Sequence, residues 1–213
     1  MEYHWIDPPV AGQVSGKVKL MVPLLASITG LRHSLDFRYK VSEKNQHDLK
    51  DNYYVWTVMC AVASYWSFTH PDIRMEEDVP GLSEKEIVPK AAARDILYTC
   101  FSEFGNDTPL PEQPKDWDVL YLNIEETENE YIFTGIDESM SGVYMIVNCG
   151  GPYDDGEVKV MVNRLADGGY YEVLCSLEFT LVEDKAENAL RLPYRIKSIE
   201  RLDTKPVGSD NCP

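Results

Sequence analysis

The sequence predicts an α+β protein, with a helix-rich N-terminal part packed beside a C-terminal antiparallel β-sheet or sandwich. Three observations predict it. Asn52 to His70 is apolar nearly all round, the pattern of a helix buried in a core. Ile96, Leu97, Cys100, Phe101 and Phe104 form an apolar stripe at helical spacing. After Trp117 the pattern becomes a run of strands separated by turn residues.

From the N-terminus, Pro8-Pro9, Gly12 and Gly16 keep residues 1–16 irregular. Lys17 to Val22 reads as a strand stopped by Pro23. Leu24 to Thr29 is too short for periodicity to choose between helix and strand. Leu35, Phe37, Tyr39 and Val41 alternate with Asp36, Arg38 and Lys40, the period of a strand with one wet face. Asp51 or Asn52 can cap the first long helix, and Pro71 stops it. A second helix is expected near 83–104. Ser83 and Glu86 fit a capping box, in which each side chain satisfies a free backbone N–H. Pro89 either kinks that helix or begins a new one, and Gly105 suits its C-terminal cap.

Pro109, Pro111 and Pro114 mark a linker. The expected organisation is a mainly helical part with one or two strands at 1–104, a Pro-rich linker at 105–116, an antiparallel β unit at 117–205 and a tail at 206–213. The β unit offers six strands: Asp118–Glu125, Glu130–Ile136, Gly142–Cys149, Gly156–Leu165, Tyr170–Val182 and Leu192–Leu202. Val158, Val160 and Val162 share one face of the fourth, and Tyr171, Val173, Cys175, Leu177, Phe179 and Leu181 one face of the fifth. The short Asp167-Gly168-Gly169 link makes those two a hairpin.

The chain has 213 residues, with 36 acidic and 20 basic side chains and a formal charge of −16. The charge is uneven: residues 1–50 sum to +2, whereas residues 101–160 sum to −12. Arg191, Arg195, Lys197, Arg201 and Lys205 make 191–205 locally basic. This balance argues against direct nucleic-acid binding, which needs clustered Lys and Arg, and against an anionic membrane surface. Tyr53 to Thr69 lacks charge but is too short and polar for a membrane span. The start Met1-Glu-Tyr-His-Trp lacks the features of a secretory signal. Cys60, Cys100, Cys149, Cys175 and Cys212 are widely spaced, which suits free thiols in the cytoplasm.

Catalytic signals are weak. The phosphate-binding glycine motifs and the G-x-S-x-G nucleophile turn are missing. Asp154-Asp155-Gly156-Glu157 resembles a fragment of a calcium loop, but its setting is a β-turn. No catalytic residue, metal site or cofactor is therefore assigned. The signal that remains is acidic: Glu125, Glu126, Glu128, Glu130, Asp137 and Glu138 crowd one strand-turn-strand region. They predict a non-enzymatic binding or inhibitor protein that engages a basic protein, acting like an immunity protein or a nucleic-acid mimic. One alternative is a self-assembling structural protein, such as a viral particle component, built by homo-oligomer contacts between its acidic and basic regions. The other is a small-molecule enzyme with a pocket between helices and sheet.

Overall fold

The computed structural model describes residues 3–5, 16–30, 38–40, 55, 56, 58, 59, 62, 63, 71–80, 83–105, 107–113, 123–134, 142–153, 155–165, 173–185, 188 and 190–202. In chain order the elements are β1 (Tyr3–Trp5), α1 (Gly16–Gly30), β2 (Arg38–Lys40), β3 (Arg74–Val79), β4 (Ser83–Pro89), α2 (Lys90–Cys100), β5 (Asn123–Glu126), β6 (Glu130–Thr134), β7 (Gly142–Gly150), β8 (Glu157–Leu165), β9 (Val173–Glu183) and β10 (Tyr194–Arg201). They fall into two compact units. One comprises Met1–Glu43 and Ser139–Pro213, the other Lys44–Glu138.

The first unit holds a six-stranded sheet of order β1-β7-β8-β9-β10-β2. Its pairs are antiparallel except β1 with β7. Val158, Val160 and Val162 of β8 are buried, as are Cys175, Leu177, Phe179 and Leu181 of β9. Val158, Val160 and Val162 stand opposite Leu181, Phe179 and Leu177 in the β8–β9 register, so the alternation read from the sequence lines one face of this pair. Helix α1 packs against β8 and β9.

Helix α1 overturns the expected strand at Lys17–Val22, because it runs straight through Pro23. Proline removes one backbone hydrogen bond and crowds the preceding turn, at about 3 kcal/mol in a helix interior. Burial outweighs that cost. Val18, Met21, Leu25 and Ile28 recur at spacings of three and four and are all buried. Each such side chain contributes about 1.5–3 kcal/mol. Two buried hydroxyls bond back to the helix: Ser27 Oγ donates to the Pro23 carbonyl (2.8 Å) and Thr29 Oγ1 to that of Leu25 (2.7 Å).

The second unit holds a four-stranded antiparallel sheet of order β3-β4-β6-β5. Val88 of β4, Tyr131 and Phe133 of β6 and Ile124 of β5 are buried and lie on one face by register. Val55, Trp56, Val58, Met59, Val62 and Ala63 are helical and buried, as the apolar run predicts for those positions. The rest of that predicted helix lies outside the described residues.

The N-terminal part is therefore not helix-rich, and the chain is an α+β mix made mostly of sheet. The expected helix at 83–104 is the main correction. Its first seven residues form β4, and α2 begins only at Lys90. Ser83 and Glu86 are strand residues rather than a capping pair, and Glu86 is fully buried. Pro89 ends the strand and is the N-cap residue of α2. It sits opposite Glu130, with Val88 opposite Tyr131. The Lys90 N–H donates to the Asn129 carbonyl (2.8 Å), which extends the strand contact into the helix start. Helix α2 ends at Phe101, whose backbone is extended, so Gly105 is not its cap.

Segregation by chain position also fails. Strands β1 and β2, from the N-terminal part, pair with β7 and β10, whereas β5 and β6 pair within a sheet completed by β3 and β4. Long-range pairing of this kind leaves no local mark in a sequence.

Candidate functional site

The β5–β6 hairpin carries four of the six predicted acidic residues: Glu125 and Glu126 on β5, Glu128 in the turn and Glu130 at the start of β6. Asp137 and Glu138 lie outside the described residues. The turn is closed locally. The Thr127 N–H donates to the Glu130 carbonyl at 2.9 Å, and Thr127 Oγ1 accepts from the Glu130 N–H at 3.0 Å.

Beneath the hairpin lies an aromatic base. Tyr131 is buried and meets Trp56 edge to face, with ring centroids 4.7 Å apart at 75°. Trp56 is fully buried, and its Nε1–H donates to the Glu112 carbonyl at 3.2 Å. Lys90 places its ammonium 5.4 Å from the Tyr131 ring centroid and 2.6 Å from Glu126 Oε1. Gln113 Nε2 donates to Glu126 Oε2 at 3.3 Å. On the opposite face, Arg74 reaches Glu130 at 3.0 Å and Glu76 at 3.8 Å, and Lys85 reaches Glu76 at 3.6 Å.

These contacts divide the acidic set. Glu126 and Glu130 have countercharges from Lys90 and Arg74. Glu125 and Glu128 are exposed and have no ion-pair partner among the described residues. Their field is therefore directed at solvent. Opposing charge is sparse: β3, β4 and the β5–β6 hairpin hold nine acidic side chains against two basic ones, Arg74 and Lys85. Local reading missed Arg74 and Lys90, which stand 56 and 36 residues from their partners in sequence.

Burial raises the Tyr131 phenol above its ordinary pKa of 10.0, the neighbouring Glu126 charge raises it further, and Arg94 acts in the opposite sense. A raised folded-state pKa gives stability that is complete below the unfolded value and lost as pH rises through the folded one. Urea titrations should therefore show wild type losing more stability than Tyr131→Phe above about pH 10. Parallel losses in the two proteins would contradict the assignment.

Asp155 Oδ1 accepts the Glu157 N–H at 3.0 Å, and Glu157 pairs with Lys197, which supports a turn at the Asp155-Gly156-Glu157 segment. Asp154 lies outside the described residues. Among the described residues no group of three or more His, Cys, Asp or Glu is placed to hold a metal ion. None of their helices is long and apolar enough to cross a membrane. Cys100, Cys149 and Cys175 form no disulfide among the described residues. No protein-family model, curated protein or solved structure matches the chain.

Proposed function

We propose that this chain is a non-enzymatic, acidic binding protein of inhibitor type, acting in the cytoplasm on a protein partner with a basic surface. The observation that carries the reading is the pair of carboxylates, Glu125 and Glu128, without a countercharge among the described residues, on a hairpin braced by its own ion pairs. Exposed charge of one sign steers an oppositely charged partner and speeds encounter. The Trp56–Tyr131 base gives the hairpin a firm footing, so little ordering is needed on binding.

The test is recovery of partners from the source cell with three baits. These are wild type, Glu125→Lys with Glu128→Lys, and Asp107→Lys with Glu112→Lys. The last pair makes the same charge change at exposed loop positions. Wild type and the loop variant should recover the same basic protein, released at high salt, while the hairpin variant loses it. Equal recovery by all three baits would reject the hairpin as the site.

A further inference from the structure

The ends of the two sheets differ in how open they are to another strand. Strands β1 and β2 are three residues each. Strand β3 carries an irregularity between Glu77 and Val79, a feature that bends an edge away from further pairing. Strand β5 pairs with β6 in unbroken register from Asn123↔Thr134 to Glu126↔Tyr131.

The hydrogen bond from Thr127 to Glu130 fixes the alternation along that pair. Asn123 and Glu125 direct their main-chain groups toward β6, and Ile124 and Glu126 direct theirs outward. The same alternation leaves Pro89 opposite Glu130 at a position that needs no donor, as a proline requires. Among the described residues nothing hydrogen-bonds the outward main-chain groups of Ile124 and Glu126. Among the described residues two independent features thus meet on this edge: main-chain hydrogen-bonding capacity and negative charge without a countercharge.

From this juxtaposition we infer that the outer edge of β5 accepts an extended Lys/Arg-rich segment of the partner as a fifth strand of the four-stranded sheet. The inference rests on the acidic-docking reading above and specifies its mode. Main-chain bonds at Ile124 and Glu126 give the contact its register, and a basic side chain opposite Glu125 answers the free carboxylate. Acidic residues at an edge repel acidic strands and disfavour neutral ones, which would desolvate the carboxylates without pairing them. A basic strand is the kind they favour.

The experiment is calorimetric titration of the full chain with two peptides of alternating Lys and Val. One has an ordinary backbone. The other is N-methylated at alternate residues on the pairing edge, which keeps the charge and removes the donors. The ordinary peptide should bind, and N-methylation should weaken it by about tenfold or more, since two or more main-chain bonds are lost. Glu126→Pro, which removes an outward N–H at an edge where proline is tolerated, should bind the ordinary peptide more weakly than Glu126→Gln. Equal binding of the two peptides would overturn strand addition and leave the acidic reading standing. Binding of neither would overturn both.

Discussion

Replacing Trp56 with Ala is expected to destabilise the 44–138 unit by about 3–5 kcal/mol, the range for removing a large aromatic from a core. The indole is fully buried, it is the edge-to-face partner of Tyr131, and its N–H satisfies the Glu112 carbonyl. Ala would leave a cavity under the hairpin and remove that donor. Trp56→Phe keeps much of the ring contact and loses the donor, so its cost should be smaller, about 1–2 kcal/mol. Urea unfolding followed by far-ultraviolet circular dichroism orders the three proteins. A loss below about 1 kcal/mol for Trp56→Ala would show that the aromatic base is not what holds this unit together.

Reversing Glu125 and Glu128 together should slow association with a basic probe by about tenfold at low salt, the lower end of measured steering effects. Both carboxylates are exposed and uncompensated, so their replacement breaks no ion pair among the described residues. Glu126 makes a poorer test. Its reversal would also release Lys90 and place two cations beside Tyr131. Loss of binding on charge reversal there could not be separated from rearrangement of the hairpin, whereas Glu126→Pro and Glu126→Gln both lose the Lys90 ion pair and differ in the main-chain donor. The Asp107 and Glu112 reversal changes net charge equally at exposed loop positions off the β5–β6 hairpin and should leave the rate within about twofold.

Much of the strand pattern after Trp117 was legible. Every strand from β5 to β10 overlaps a predicted one, because alternation and turn residues are local signals. Val158, Val160 and Val162 and the matching face of β9 are buried as the period of two requires. The N-terminal portion misled for physical reasons. Pro23 reads as a stop, but α1 buries enough apolar surface to carry it. Ser83 and Glu86 have helix-start spacing, yet β3 and β6 flank that segment and draw it into the sheet. Local propensity yields to tertiary pairing there.

The acidic hairpin was legible as composition, and its internal division was not. Nothing near Glu126 or Glu130 in sequence points to Lys90 or Arg74, which the topology brings alongside. Pro89, read as a kink or a helix start, is the residue at which β4 passes into α2. That join places Lys90 over Tyr131 and so completes the base of the hairpin.

The most direct test of hairpin docking is the association rate of an oligolysine probe across a salt series. Wild type, the Glu125/Glu128 reversal and the Asp107/Glu112 reversal would be measured side by side by stopped flow. Wild type and the loop reversal should share a fast rate that falls steeply with salt. The hairpin reversal should start about tenfold slower and depend on salt only weakly. Three superimposable salt curves would contradict the account, because the probe would then be responding to net charge and not to this hairpin.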